Sequence, residues 1–388
     1  MQPFQMTSRI IITCSNRLSP YLLLETTEMG FVPVRSFKTG LELRGTMADC
    51  IRLNLNLRCA SQVLFSLGEW RVQNADELYN KLVEFPWEDI ISKDGYFSIS
   101  SNVDNPTINN SLFANVKVKD AIVDRFRNRT GERPNSGPEL DKAVIHLYWK
   151  DEIAELFIDT SGESLSKHGY RKIPGKAPMM ESLAAATLLA NNWDRLTPFI
   201  NPMCGSGTIA IEAVLMATNR RPGLYRSNYS FMHLVGYEEK VYRDELKRTE
   251  AQVREIPGLK VVASDISEDA VYISKVNAGI AGVEELIEFE VCDFQQTRIL
   301  PGEGVIYFNP EYGDRMGEEI NLQTTYSQLG DFMKKQCRGY TGYIFTGNLE
   351  LAKKIGLKAS RRIEFYNGKI DCRLMEYELY GGTKRKAK

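Results

Sequence analysis

FINPMCGSGTIAIEA (residues 199–213) is the stretch from which the fold of this chain can be read. A short apolar run ends at Asn201, a loop with Gly205 and Gly207 follows, and a helix-forming run begins near Thr208. Glycines at these places let the backbone turn tightly and approach a ligand without a Cβ in the way. The helix start offers free N–H groups to a negatively charged group. The loop lacks the Gly-Lys-Ser/Thr ending of a P-loop. Gly205-Ser206-Gly207 followed by Thr-Ile-Ala also fails the dinucleotide pattern.

Around this stretch, short apolar strands alternate with helices. MMESLAAATLLANN (179–192) reads as a helix, and another is expected from about Glu268 to Ala281. KVVASD (260–265), IEFEVCDF (287–294), GVIYFNP (304–310) and TGYIFTGN (341–348) read as strands, with RRIEFYNG (361–368) and DCRLMEYELY (371–380) as a closing hairpin. This alternation predicts a doubly wound parallel sheet with one antiparallel strand. Asp265 ends the second strand, where a carboxylate can accept from both ribose hydroxyls of an adenosine cofactor. Its distance from Gly205 implies an insertion at about 219–258. Asp293 ends the third strand and could accept from an adenine amino group, with Phe294 beside the ring. Either aspartate alone reads as a turn or cap; two at successive strand ends beside a glycine loop read as an adenosine pocket. Its candidate residues are Asn201, Cys204, Gly205, Gly207, Thr208, Asp265, Ile266, Asp293 and Phe294.

The fourth strand ends in FNPEYG (308–313). The Asn309 side chain and the Pro310 backbone offer two carbonyl acceptors that can hold both hydrogens of an –NH₂ group. That geometry draws the nitrogen lone pair out of conjugation and aims it at an electrophile, so catalysis comes from positioning. Tyr312 offers a face on which a base can stack. The candidate catalytic residues are therefore Asn309, Pro310 and Tyr312.

The N-terminal part has a different rhythm. RIIITCS (9–15), GFVPVRSF (30–37), GLELRG (40–45), YFSISSNV (96–103), AVIHLYWK (143–150) and IAELFIDT (153–160) read as strands, and NADELYNKLVEF (74–85) as a helix capped by Asn74 or Asp76. ADCIRLNLNLRCASQVLFSL (48–67) reads as a helix running into a strand. The organisation expected is an N-terminal α+β subdomain (1–65), a second α+β domain (66–160), a linker (161–178) and the doubly wound domain (179–383). A basic tail (384–388) closes the chain.

Composition bounds the function. The 388 residues are 43% apolar and 26% charged, the profile of a globular protein of two or three domains. No run is long and apolar enough to span a membrane, and Met1–Ser8 lacks the features of a signal peptide, so a cytoplasmic location is expected. Seven scattered cysteines with no Cys-x-x-Cys pair argue against a disulfide framework or a metal site. A net charge of −1 leaves nucleic acid open only through local patches. KVKDAIVDRFRNRTGER (117–133) and KHGYRKIPGK (167–176) are such stretches. Lys117, Arg125, Arg127, Arg129, Arg133, Arg171 and Lys172 are candidate RNA-binding residues, with a solvated helix face and a linker as the alternative.

Phe199–Ala213, Asp265, Asp293 and Asn309–Gly313 resemble the motifs of class I amino-methyltransferases, which use S-adenosylmethionine on a seven-stranded Rossmann-like sheet. The resemblance extends to bacterial 23S rRNA guanine-N2 methyltransferases with a ferredoxin-like region and a THUMP RNA-binding domain. It covers VKDAIVDRFRNRTGERP (118–134), DTSGESLSKHGYR (159–171), KAPMMESLAAATLLANNW (176–193), Arg221–Arg226 and YNGKIDCRL (366–374). It implies methyl transfer to guanine N2 of structured RNA, most simply 23S rRNA, with residues 66–160 as the THUMP domain. Guanine in tRNA is the enzymatic alternative; DNA adenine is disfavoured by the absence of a groove-reading motif. A non-catalytic RNA-binding assembly factor is the alternative of another class. Two departures bear on it. The family usually has Asp where this chain has Asn201, which removes a carboxylate near the cofactor's ammonium, and it usually has Pro where this chain has Glu311. Glu311 is either a solvent-facing bystander or an acceptor for the proton released on methylation.

Overall fold

The strand expected at Arg9–Ser15 forms β1 (Ser8–Thr13), and it opens a sheet that runs through the whole N-terminal part. The structure, a computed structural model, describes residues 2–175, 178–313 and 319–380. Part of the expected linker (176–177) and the expected basic tail (384–388) lie outside these residues.

After β1 come α1 (Ser19–Glu28), β2 (Arg35–Phe37), β3 (Gly40–Gly45), α2 (Met47–Asn56) and β4 (Gln62–Arg71). Then follow α3 (Ala75–Val83), β5 (Tyr96–Asp104), α4 (Ser111–Thr130), β6 (Asn135–Ser136), β7 (Ala143–Lys150) and β8 (Ile153–Asp159). Helix starts obey local chemistry. Thr46 and Asp49 form a reciprocal capping box on α2, and the Asn74 side chain accepts from the Asp76 and Glu77 N–H groups at the start of α3. Gly131, in the left-handed region, ends α4. The eight strands lie in the order β2-β3-β1-β4-β8-β7-β5-β6. The expected boundary at 65/66 falls inside β4, whose residues 62–65 pair with β1 and residues 64–71 with β8, so the two N-terminal regions share one sheet. The expected strand 30–37 shortens to β2, because Pro33 lacks an N–H, and Val32 and Val34 stay exposed. Helix α1 and the short strand β6 are elements of this unit that the sequence reading lacked.

The second unit carries α5 (Glu181–Ala190), β9 (Phe199–Pro202) and α6 (Thr208–Ala217). An insertion with α7 (Glu239–Ala251) follows. Then come β10 (Val261–Asp265), α8 (Glu268–Ile280), β11 (Ile287–Val291), β12 (Gly304–Phe308), α9 (Glu319–Gln336), β13 (Tyr340–Thr346), α10 (Leu349–Lys354), β14 (Arg361–Asn367) and β15 (Ile370–Glu378). The strand order is β11-β10-β9-β12-β13-β15-β14; β9 to β13 run parallel and β15 is antiparallel to both its neighbours. This is the seven-stranded, doubly wound sheet that the sequence implied. Ile200, Ile306, Phe308, Phe332 and Tyr377 are among the residues of its core.

The units are not contiguous in sequence. Residues 16–21, 166–221 and 252–388 form the second unit, and Pro222–Ala251 belongs with the first. The sequence reading kept the insertion inside 179–383. Its aromatic residues explain the difference: Tyr229 and Phe231 are fully buried and stacked 5.1 Å apart, and the Ser230 hydroxyl accepts from the Val144 N–H of β7.

Candidate active site

Strand β9 is buried throughout, so it delivers Asn201 and the following loop to a fixed place at the C-terminal end of the parallel strands. Asn201 Nδ2 donates to the Tyr307 carbonyl of β12 at 2.8 Å, a bond that an aspartate could not make. Its Oδ1 is buried with no hydrogen-bond partner. The chain then turns through Met203, Gly205 and Gly207, all at positive φ. The two glycines serve different ends. A Cβ on Gly207 would lie 2.9 Å from Ser274 Oγ and 3.0 Å from its Cβ, so Gly207 lets α6 pack closely on α8. A Cβ on Gly205 would meet nothing within 4 Å, so Gly205 leaves room on the open side of the loop. Ser274 Oγ donates to the Gly205 carbonyl at 2.7 Å. Cys204 is buried, and its N–H donates to the Ser264 carbonyl.

Asp265 sits at the end of β10, half-buried. One carboxylate oxygen accepts from the Gly205 N–H at 2.9 Å and the other from the Ser267 N–H at 3.0 Å. It therefore ties the glycine loop to the next strand end while lone pairs remain for a ligand's hydroxyls. Ile266 beside it is 72% exposed, an aliphatic side chain facing open space. Asp293 follows β11, and one of its oxygens caps the short turn Phe294–Gln296 through the Gln295 N–H. Phe294 is corrected: its ring is buried edge-on to Phe308 and Phe332, so it belongs to the core rather than beside an adenine. Thr208 begins α6, and its hydroxyl lies 3.3 Å from Ser206 Oγ.

The parallel register Ile306↔Ile200 sets the turn after β12 beside the glycine loop. Asn309 is half-buried, and no hydrogen bond among the described residues engages its amide; Pro310 is buried and Glu311 exposed. Tyr312 is half-buried, and its hydroxyl accepts from Asn367 Nδ2 at 2.8 Å. The open side of Gly205, the orphaned buried Asn201 oxygen, two carboxylates at successive strand ends and the exposed Ile266 together fit S-adenosylmethionine. Its ammonium, ribose and adenine would each find a matching group.

Sequence reasoning missed several residues that build this site. Asn277 of α8 is fully buried and grips both backbone groups of Ile173, while its Nδ2 also reaches the Ser206 carbonyl at 3.3 Å. This straps segment 171–175 over the glycine loop, where a Cβ on Gly175 would sit 3.2 Å from Ser206 Cβ. An asparagine inside a helix, where its propensity is poor, was the available signal. Arg171 is a correction. It is expected to hold RNA, but its guanidinium is nearly buried, pairs with Glu181 at 2.9 Å and donates to the Met179 carbonyl at 2.6 Å. Nearby, His168 Nδ1 lies 2.7 Å from Glu212, both fully buried.

The remaining basic candidates divide. Arg125 is also corrected: it forks onto Glu88, leaving its side chain 14% exposed, and this hydrogen bonding holds the Glu88 carboxyl down at about 2. Lys117 is engaged with Asp76 at 2.7 Å and lies over the Phe113 and Tyr79 rings. Arg129 reaches Glu88 at 2.5 Å yet stays 57% exposed, and Arg127 is similarly open. Arg133 and Lys172 are exposed. Among the described residues, no cluster of His, Cys, Asp and Glu could hold a metal ion, and no helix is long and apolar enough to cross a membrane.

Comparison with known proteins finds relatives for each part of the chain. The profile of the RMKL-like methyltransferase domain matches residues 168–376, that of the THUMP domain 72–159 and that of the RlmL ferredoxin-like domain 9–64. The ribosomal RNA large subunit methyltransferase K/L of Syntrophotalea carbinolica is 33% identical over 383 residues, 96% of this chain and 53% of that protein. The chain thus spans about half the length of the K/L proteins it matches. A Synechocystis protein described as a candidate RNA methyltransferase is 32% identical, over 97% of this chain and 98% of its own. A Listeria monocytogenes crystal structure, described as a predicted N6-adenine-specific DNA methylase, superposes with a TM-score of 0.87 at 28% identity, covering 96% of this chain and 97% of that one. By its motif residues, its strand order and these matches, the chain belongs to the RMKL-like methyltransferase family, with THUMP and RlmL-type ferredoxin-like domains preceding the methyltransferase sheet.

Proposed function

We propose that this chain methylates the exocyclic N2 of a guanine in 23S ribosomal RNA, with S-adenosylmethionine as the methyl donor. The observation that carries the reading is the Asn309-Pro310 turn, set by the β9–β12 register beside the glycine loop. The bound cofactor supplies an electrophilic methyl group on a sulfonium. The Asn309 side-chain carbonyl and the Pro310 carbonyl accept the two amine hydrogens and turn the nitrogen lone pair toward that methyl. Tyr312 supports the flipped base, and Asp265 and Asp293 hold the ribose and adenine ends of the cofactor. As the N–C bond forms through the nitrogen lone pair and the S–C bond breaks, the nitrogen becomes cationic, and one of its own two hydrogens must leave as a proton. Glu311 is exposed, so that proton passes to solvent without a buried base.

An –NH₂ on adenine would present the same two hydrogens, as the name of the Listeria protein would require. The THUMP and ferredoxin-like matches and the K/L relatives favour RNA. A single-turnover assay on 23S rRNA fragments, followed by mass spectrometry of the nucleosides, tests the proposal. N2-methylguanosine is expected, and Asn309→Ala should slow its formation by about a hundredfold or more while cofactor affinity changes far less. Product on adenine, product confined to tRNA, or a normal rate for Asn309→Ala would overturn it.

A further inference from the structure

The end of the β14–β15 hairpin has no place in the chemistry so far. Asn367 and Ile370 pair across a two-residue turn in which Gly368 has φ +60°, the residue type and sign that a tight hairpin of this kind needs at its first central position. The turn aims two side chains at the catalytic loop. Asn367 Nδ2 donates to the Tyr312 hydroxyl at 2.8 Å. Ile370 lies against Gly347, just after β13, where a Cβ would come within 2.6 Å of Ile370 Cγ2 and 3.1 Å of two Tyr312 ring carbons. Gly347 has an ordinary φ, so steric room, and not backbone freedom, requires glycine there. The Tyr312 hydroxyl also acts on the Cys372 thiol of β15, favouring its charged form. Tyr312 itself lies in the irregular turn after β12, which by itself fixes no ring orientation.

We infer that Asn367 is a positioning residue for Tyr312: with Gly347 and Ile370 it forms a slot that fixes the ring against which the target base is placed. This rests on the reading of Tyr312 as the base-supporting side chain. The hairpin acts from 55 residues away in sequence, through one hydrogen bond and one glycine-sized gap. It touches neither cofactor nor reacting atoms, so its loss lowers the rate of transfer without loosening the cofactor.

A double-mutant cycle tests this. Asn367→Ala should slow single-turnover methyl transfer about three- to tenfold, the scale of one neutral hydrogen bond, with cofactor affinity unchanged and a fall in melting temperature of only a few degrees. In a Tyr312→Phe background, Asn367→Ala should have no further effect. Gly347→Ala should slow transfer in either background, because its Cβ meets the ring and not the hydroxyl. A spectroscopic arm is independent of turnover. In protein labelled with ¹³C at the tyrosine ζ carbon, the signal missing from Tyr312→Phe identifies Tyr312, and Asn367→Ala should shift that signal. An unmoved signal, or an equal rate loss in both backgrounds, overturns the inference. Failure of the wild-type protein to methylate any guanine, with the signal still shifted in Asn367→Ala, would sink the proposed function and leave the slot standing.

Discussion

Gly205 and Gly207 share a loop and a backbone handedness, yet alanine at each should fail in a different way. Both have positive φ, +56° and +79°, a conformation that costs an L-residue about 1–2 kcal/mol. At Gly205 the added methyl meets nothing within 4 Å, so strain is the whole penalty in the free protein. For a domain of this size that amounts to a fall in melting temperature of about 2–8 °C. The methyl does, however, occupy the space that the glycine leaves for a ligand. Overpacking of about 1–3 kcal/mol there weakens cofactor binding by roughly five- to 150-fold. At Gly207 the methyl would sit 2.9 Å from Ser274 Oγ and 3.0 Å from its Cβ, so overpacking adds to strain without any ligand. The loss is then about 2–5 kcal/mol. Calorimetric melting without cofactor and titration with S-adenosylhomocysteine separate the two effects. Gly205→Ala should melt about 2–8 °C below wild type and bind poorly, and Gly207→Ala should melt lower still. Normal binding by Gly205→Ala, or the reverse order of melting temperatures, would refute the division of labour drawn from the loop.

Other predictions follow from the first unit. Reversing Arg127 and Arg133 to glutamate should lower the log–log salt slope of RNA binding by about 0.7–0.9 per residue and leave cofactor affinity unchanged, as filter binding over a salt series would show. Arg125→Glu should instead lower the melting temperature by about 2–4 °C, because it places a carboxylate against Glu88. Burial pulls His146 down to about 4, and its Nδ1 lies 2.8 Å from Ser100 Oγ. Below pH 6.5 the unfolded chain therefore takes up a proton that the folded one refuses. Stability is full above that pH and falls by about 3 kcal/mol on approaching pH 4. Denaturant unfolding of His146→Gln across pH 7–4 should lose that share of the slope.

Much of the second unit was legible because its signals are local. Apolar runs ending in Asn201, Asp265, Asp293 and Asn309 mark strand ends, and a parallel sheet places such ends side by side. What escaped depends on partners distant in sequence. Arg125 reads as a free cation until α4 packs near Glu88, 37 residues before it. Arg171 reads as a linker cation until Glu181 buries with it. Asn367 reads as a turn former, which it is, and nothing near it names Tyr312. Helix α1 was missed because Leu22 is buried while Leu23 and Leu24 are exposed, so YLLLE shows no clean helical stripe.

The insertion has a consequence for synthesis. Strand β7 leaves the ribosome long before Ser230, whose hydroxyl receives the Val144 N–H, and before Tyr229 and Phe231, which complete the core of the first unit. At about 5–20 residues per second, the nascent sheet waits several seconds for its own plug. During that interval the part of the second unit that precedes the insertion, glycine loop included, has already been made but cannot close its sheet, because six of the seven strands follow. Neither unit can finish before the other has begun, so a truncation at any single point leaves at least one of them incomplete.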